Sequence, residues 1–331
     1  MAQRIAIAFG AGVVSALLFA VSSKGTLFAV ALAYFSALPI VIAGFNWGVD
    51  MGGIAALTAL GGVAAFADIA STILFGAVVV VPAWILTTLS CSHLGSFYRA
   101  KNPTDSSVSW FPVGGIVAAG ALIAIAVGLG AILSLAAVYN GYEKGVQALA
   151  EQNAASVQAA IDQVITLPPE MTIREFAALV VREAPPLLAL LMFLVLCANL
   201  YLGARVAQVS KALKRPWRDL PESLILPRLL GVLGVLCLGL GFALEGVARL
   251  AAWTVVGVVA AAFALQGLAL AHALTRGLKF RNPLLVALYL ICAILSQWAV
   301  PTLAFVGLLE SFLSLRARRV AAVNAKPKPS N

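Results

Sequence analysis

The stretch FPVGGIVAAGALIAIAVGLGAILSLAAV, residues 111–138, contains no charged side chain. An α-helix that crosses the hydrocarbon core of a bilayer needs about 20 predominantly apolar residues. Lipid offers the backbone no hydrogen-bond partners, and an α-helix satisfies its own amides, so such a run is expected to be helical. The stretch therefore predicts a transmembrane helix and an all-α fold.

Similar apolar runs recur along the whole chain of 331 residues, of which 62% are hydrophobic and only 11% are charged. Soluble proteins carry roughly a quarter charged residues, so this composition indicates a membrane protein. We predict a polytopic helical membrane protein with about ten transmembrane helices, or nine if the last two segments form one helix kinked at Pro301. The predicted segments are 5–21, 26–44, 47–66, 69–89, 111–138, 186–206, 229–246, 252–274, 284–299 and 302–315, with a turn at 297–301.

The positions of the basic residues predict the orientation. Seventeen of the 22 Lys and Arg residues lie beside apolar runs in five clusters, which is typical of cytoplasmic loops. The clusters are Arg4; Arg99 and Lys101; the six from Arg205 to Arg228; Arg276, Lys279 and Arg281; and the five from Arg316 to Lys328. Ten crossings of a bacterial inner membrane place all five clusters and both termini in the cytoplasm. Anionic lipid headgroups then balance the net charge of +9, and nucleic acid is not implied.

The predicted organisation is one multi-pass membrane domain, residues 1–316, followed by a disordered, basic cytoplasmic tail, residues 317–331. Residues 140–185 form a polar insertion with six acidic and three basic side chains, which suits the periplasmic side. Val146, Ala150 and Val157 recur at helical spacing, and Thr172 with Glu175 forms a capping box for a second short helix reaching about Glu183. An amphipathic helical hairpin on the membrane surface, a lid over a cavity and a partner-docking helix pair all fit this pattern.

Motifs for enzymatic chemistry are scarce in the sequence. It has no GxxxxGK[ST] phosphate loop, no HExxH and no GxSxG, and it has only two histidines. We therefore expect no enzyme, no cofactor and no metal, and ATP-driven work would need a partner. The four cysteines have no CxxC spacing and are expected to pack between helices, with a disulfide or a metal role as the alternative. Gly10 and Gly12 are expected to allow close helix packing.

Asn46 and Asp50 are the first candidates for ligand binding. They lie beside Gly44 and Gly48, shortly after Pro39, and a helix broken by proline and glycine exposes backbone groups that can bind a solute. The alternative is the start of an interfacial helix with Asn46 as its cap.

Polar residues in other apolar segments are further candidates, because polar groups are costly in lipid. Gln266 and His272 lie in the eighth segment and are predicted to bind ligand, with interhelical hydrogen bonding or a proton relay at His272 as alternatives. Glu245 and Arg249 are expected to form a surface ion pair or a substrate clamp. Glu310 in the last segment is expected to reach the interface, and these last three residues could also serve as interhelical or gating groups.

Three groups of residues together resemble the YybS-like family of bacterial multi-pass membrane proteins, whose function is unknown. These are Leu38-Pro39 with Gly44 and Gly48, Gln266-Gly267 with His272, and Gly307-Leu308-Leu309-Glu310 running to Leu315-Arg316. The chain departs from the family pattern at Ser314 and Leu315, where an acid and an aromatic residue would stand.

The family is in turn similar to the substrate-capture subunits of energy-coupling-factor vitamin transporters. That resemblance implies a small solute bound within a helical bundle and separate coupling or ATPase subunits. Ala29, Ala33 and Ala37 are similar to the alanine series that those subunits pack against a coupling protein. The sequence thus favours a solute-binding or transport-associated membrane protein without its own ATPase. A non-transporting scaffold or interaction protein of the cell envelope is the alternative hypothesis.

Overall fold

A computed structural model describes residues 1–24, 26–92, 110–161, 171–215 and 219–318. Within these ranges the regular structure is helical, which confirms the predicted all-α class. The α-helices are α1 (Ala2–Ala20), α2 (Leu27–Ala33), α3 (Leu38–Trp47), α4 (Val49–Ala64), α5 (Ile69–Phe75), α6 (Val81–Cys91), α7 (Val113–Val138), α8 (Tyr142–Ile161), α9 (Ile173–Val209), α10 (Leu220–Ser223), α11 (Arg228–Ala243), α12 (Gly246–Leu274), α13 (Arg281–Ile294) and α14 (Ser296–Leu313). A 3-10 helix (Val21–Lys24) follows α1, and a π-helical turn (Gly76–Val80) joins α5 to α6.

Six helical segments are long and apolar enough to cross a membrane by length and composition. They are Ala2–Ala20, Phe28–Trp47, Ile69–Cys91, Val113–Val138, Ile173–Val209 and Gly246–Leu274. The other four predicted segments correspond to α4, α11, α13 and α14, which have 16, 16, 14 and 18 residues. These four are shorter than the roughly 20 residues that a perpendicular crossing needs. A multi-helix membrane protein is thus supported, and the count of about ten crossings is not confirmed.

The boundary between the last two helices differs from the predicted turn at 297–301. Helix α13 ends at Ile294, Leu295 has non-helical backbone angles (φ −114°, ψ 39°), and Pro301 lies inside α14. A proline is tolerated within a membrane helix when neighbouring groups compensate for the one backbone donor it lacks. Position 301 therefore does not mark the turn, and the two helices are separate elements divided at Leu295.

The second helix of the polar insertion begins at the predicted capping box, but it ends elsewhere than predicted. In the capping box, the Thr172 backbone N–H donates to Glu175 Oε2 at 2.8 Å, and the Glu175 N–H donates to Thr172 Oγ1 at 3.3 Å. The helix that starts here does not end near Glu183, because it continues through Pro185 and Pro186 as α9 to Val209. The apolar run that follows the prolines prolongs the helix. The predicted connection within the insertion falls on residues 162–170, and most of the predicted tail falls on 319–331; both lie outside the described residues.

The chain divides into two compact units. Unit 1 comprises Met1–Leu122, Phe193–Gly231 and Ala260–Asn331, and unit 2 comprises Ile123–Met192 and Val232–Val259. In unit 1, α1 packs closely on α4: a Cβ added at Gly12 would lie 2.5 Å from the Ala55 carbonyl oxygen, so the predicted packing role of Gly12 is confirmed. In unit 2, Ile132, Tyr142 and Val146 form a buried cluster.

Candidate functional site

Unit 1 contains a cavity of about 650 Å³. Its walls are mainly apolar side chains of α6, α7, α9 and α12, and α10 and the residues beside it also contribute to the lining. The apolar lining includes Leu86, Val117, Leu194, Ala198, Leu224, Leu265 and Leu268. Ligand pockets in proteins commonly have volumes of about 300–1,000 Å³, an apolar lining and a few polar groups. We call this space the unit 1 cavity.

A few polar groups interrupt the apolar lining of the unit 1 cavity. The Nε2 atom of His272 lies 2.8 Å from the Tyr289 hydroxyl oxygen, so these two side chains form a hydrogen-bonded pair. Arg215 brings a positive charge, and its Nη1 lies 3.5 Å from the Ser90 carbonyl oxygen, while Tyr201 adds another hydroxyl group. The cavity therefore offers hydrophobic contact together with hydrogen-bonding groups and one guanidinium.

The segment 219–227, which includes α10, contributes Leu220, Pro221 and Leu224 to the cavity lining, and basic side chains hold this segment in place. Arg276 forms ion pairs with Asp219 and Glu222, on either side of the cavity-lining Leu220 and Pro221. Arg316 Nη1 donates to the carbonyl oxygens of Glu222 at 3.3 Å and Leu224 at 3.0 Å. These contacts link α10 to the ends of α12 and α14.

A family model described as a predicted membrane protein (DUF2232) matches residues 13–310 of the chain. The chain belongs to this family. No curated protein and no solved structure matches the chain. Membership of DUF2232 agrees with the multi-helix membrane prediction, and the description of the family states no function.

Gln266 of this DUF2232 protein is fully buried and lies outside the lining of the unit 1 cavity. Its Oε1 accepts a hydrogen bond from the Leu226 N–H at 2.5 Å. Its Nε2 donates to the Gly307 carbonyl oxygen at 2.7 Å and to Ser311 Oγ at 2.9 Å. The amide thus joins α12 to α14 and to the cavity wall at 219–227. Gln266 therefore makes the interhelical hydrogen bonds that were the alternative to its predicted ligand-binding role. His272, in contrast, lines the cavity.

Glu310 is buried, with 2% of its surface exposed. Its carboxylate accepts a hydrogen bond from the backbone just after the C-terminus of its own helix. Its Oε2 accepts from the Leu315 N–H at 2.7 Å, next to Ser314, which has a left-handed backbone with φ 51°. Its Oε1 lies 3.5 Å from Arg316 Nε in an ion pair. Burial lowers the pKa of the Arg316 guanidinium, while Glu310 and Glu222 act in the opposite direction. Glu310 therefore does not extend to an exposed surface as expected.

Asn46 and Asp50 lie on different helices, separated by Gly48. Asn46 is near the end of α3, where its Nδ2 donates to the Ile42 carbonyl oxygen at 3.0 Å and its Oδ1 accepts from Ser210 Oγ at 2.8 Å. Gly48, with φ 118°, is the N-cap of α4, so the alternative of Asn46 as that cap is wrong. Asp50 is exposed in the first turn of α4, where the helix dipole stabilises a negative charge. Neither side chain lines the unit 1 cavity.

Glu245 directly precedes α12, Arg249 lies in its first turn, and both side chains are exposed. In the described part of the chain no ion pair joins their side chains, so the predicted surface ion pair is not formed. Arg249 instead lines a separate cleft in unit 2. The four cysteines are free thiols, and among the described residues no group of three His, Cys, Asp or Glu side chains could hold a metal ion.

The sequence does not identify Arg215, Tyr201 and Tyr289 as lining residues of one cavity. The sequence predicts that Arg215 belongs to a basic loop that contacts lipid headgroups, and the two tyrosines lie in no recognisable motif. Tyr289 lies 17 positions after His272, on another helix, so no periodicity within one helix relates them. Only the packing of several helices brings these side chains to the same cavity.

Proposed function

We propose that this protein binds a small, mostly apolar solute in the unit 1 cavity and takes part in its transport. The observation that carries the proposal is a cavity of about 650 Å³ that combines an apolar lining with Arg215 and the His272–Tyr289 pair. The lining favours an apolar body because its burial releases water from hydrophobic surface. Arg215 favours an acidic or hydrogen-bond-accepting group on the solute. Among the predicted ligand residues, His272 is the one that this proposal retains.

ATP-driven movement of the solute would need an energy source outside this chain, since its sequence has no phosphate-binding loop. The resemblance to energy-coupling-factor substrate subunits supports separate ATPase subunits as that source. The alanine series does not support its proposed docking role: Ala29 and Ala37 are each 2% exposed, and α2 ends at Ala33. An ATPase or coupling partner would therefore bind another surface.

The proposed location is the bacterial inner membrane, with both termini cytoplasmic, the 140–185 insertion periplasmic and anionic lipid headgroups around the basic clusters. The asymmetric placement of Lys and Arg supports this orientation. Alkaline phosphatase fused after Gln152 is expected to be active, and the same fusion after Ser210 inactive, because the enzyme matures only in the periplasm. Green fluorescent protein fusions at the two positions should give the reverse pattern. Equal activity at both positions would contradict the proposed topology.

Two substitutions test the unit 1 cavity. Ala198→Trp adds a bulky ring at an exposed lining position, and Arg215→Gln removes the guanidinium. Native mass spectrometry of the protein extracted from membranes should show a bound small molecule in the wild type. We expect the dissociation constant to rise about tenfold in either variant, the effect of losing about 1.4 kcal/mol of binding free energy, and the occupancy to fall accordingly.

The matched controls are Ala248→Trp and Arg205→Gln, which make the same changes at exposed positions outside the cavity lining. Both should retain the wild-type occupancy. A wild-type protein that carries no small molecule, or equal losses in controls and cavity variants, would contradict the proposal. That result would instead favour the non-transporting scaffold hypothesis.

A further inference from the structure

Unit 2 has its own cleft, of about 470 Å³, which shares no lining residue with the unit 1 cavity. The start of α8, the early part of α9 and the first turns of α12 form its walls. Tyr142, Glu143, Arg182, Glu183, Arg249 and Trp253 are its polar and aromatic lining residues. The cleft therefore brings two acidic and two basic side chains together with two aromatic rings.

Part of this charge is already neutralised within the cleft. Arg182 forms an ion pair with Glu143, and the Tyr142 hydroxyl donates to the Arg182 carbonyl oxygen at 2.7 Å. Burial raises the pKa of the Tyr142 hydroxyl to about 12, and the neighbouring Glu183 and Glu143 add to this effect. The hydroxyl thus stays protonated at neutral pH and remains a donor to the backbone. These three side chains hold α8 against α9.

Arg249 and Glu183 are left with free polar groups. Within the described part of the chain, neither side chain has a hydrogen-bond or ion-pair partner, and both line the cleft. Both charged side chains are exposed, and the apolar part of the cleft lining consists of Val247, Leu250 and Trp253. The Trp253 ring meets Phe242 edge to face at 5.4 Å between centroids. Glu183 also interacts electrostatically with Arg182 and Tyr142. The cleft thus presents a cation and an anion that, among the described residues, have no hydrogen-bond or ion-pair partners, beside an aromatic surface.

We propose that this cleft binds a small zwitterion that carries a primary ammonium. The guanidinium of Arg249 pairs with the anionic group of the ligand, and the carboxylate of Glu183 accepts hydrogen bonds from its ammonium. Guanidinium and carboxylate groups make the strongest charge-assisted hydrogen bonds with such partners. Trp253 supplies an aromatic contact for the ligand's apolar part or its cation. A free amino acid and the headgroup of phosphatidylethanolamine both have this chemistry.

Binding measurements on the full-length protein in detergent test the proposal. Isothermal titration calorimetry would use L-leucine and glycerophosphoethanolamine as soluble zwitterions, with N-acetyl-leucine and leucine methyl ester as probes that lack one of the two charges. We expect saturable binding of at least one zwitterion and at least tenfold weaker binding of the single-charge probes. A preference for glycerophosphoethanolamine, together with retention of phosphatidylethanolamine over phosphatidylcholine in mixed micelles, identifies the lipid headgroup as the source. A preference for leucine identifies the free amino acid.

The variants Arg249→Gln and Glu183→Gln should each weaken zwitterion binding about tenfold, since each removes one charge contact. Arg174→Gln and Glu151→Gln remove the same charges at exposed positions of unit 2 that do not line the cleft, and should leave binding unchanged. Circular dichroism of each variant verifies that the helices are retained. The absence of saturable binding for both zwitterions, or equal losses in cleft and control variants, would overturn the proposal. The unit 1 solute plays no part in this result, so either proposal can fail alone.

Discussion

Replacing Gly267 with alanine is expected to destabilise the protein strongly, whereas Gly257→Ala on the same helix should not. A Cβ at position 267 would lie 2.0 Å from the Leu303 carbonyl oxygen, and one at Gly307 would lie 2.0 Å from the Phe263 carbonyl oxygen. Both neighbours are backbone atoms, so α12 and α14 would have to separate. Overpacking typically costs roughly 1–3 kcal/mol, and we expect this change to cost about 3 kcal/mol because backbone atoms on both helices must move.

Gly257 is the matched control because nothing lies within 4 Å of a Cβ added there. Alanine is also favoured over glycine in a helix by roughly 0.5–1 kcal/mol. Thermal unfolding of the detergent-purified proteins, followed by circular dichroism at 222 nm, measures the difference. We expect a clearly lower midpoint for Gly267→Ala and an equal or higher midpoint for Gly257→Ala. Similar midpoints for Gly267→Ala and wild type would contradict the close approach of α12 and α14.

Gln266→Leu is expected to have a comparably large effect for a different reason. Leucine has a similar size but leaves the Leu226 N–H, the Gly307 carbonyl oxygen and the Ser311 hydroxyl without the partner that Gln266 provides. Ser311 still donates to the Leu226 carbonyl oxygen at 3.1 Å, so part of the network survives. Leaving a buried donor unpaired costs roughly 1–3 kcal/mol, and we expect a total loss of about 3 kcal/mol.

Gln297→Leu provides the control for Gln266→Leu because Gln297 is exposed in the first turn of α14. The same thermal unfolding experiment should show a midpoint near that of the wild type for this control. Limited proteolysis gives a second measurement: Gln266→Leu should expose the segment 219–227 to cleavage, since Gln266 holds Leu226. A Gln266→Leu protein with unchanged midpoint and unchanged cleavage would show that the amide is not part of a buried network.

The polar residues of the apolar segments show which features of the candidate site can be predicted from the sequence. The cost of placing Gln266 and His272 in lipid correctly marks them as residues that need partners, whereas Glu310 is buried and does not reach the interface as predicted. Their partners, however, lie elsewhere in the chain: Gln266 contacts Leu226 and Gly307, and His272 contacts Tyr289. A ligand-binding amide and an interhelical amide have the same local sequence, so the pattern could not distinguish them.

The sequence by itself determined that this is an all-helical membrane protein, because hydropathy and helical period are properties of neighbouring residues and appear in every apolar run. It also determined the capping box at Thr172 and the close packing allowed by Gly12. The tertiary structure alone decided that α9 continues past Glu183, that α13 and α14 part at Leu295, and that Arg215, His272 and Tyr289 line one cavity. Such features depend on how helices that are distant in the sequence pack together. The contacts that decide this packing join side chains on different helices, and no sequence periodicity connects such side chains.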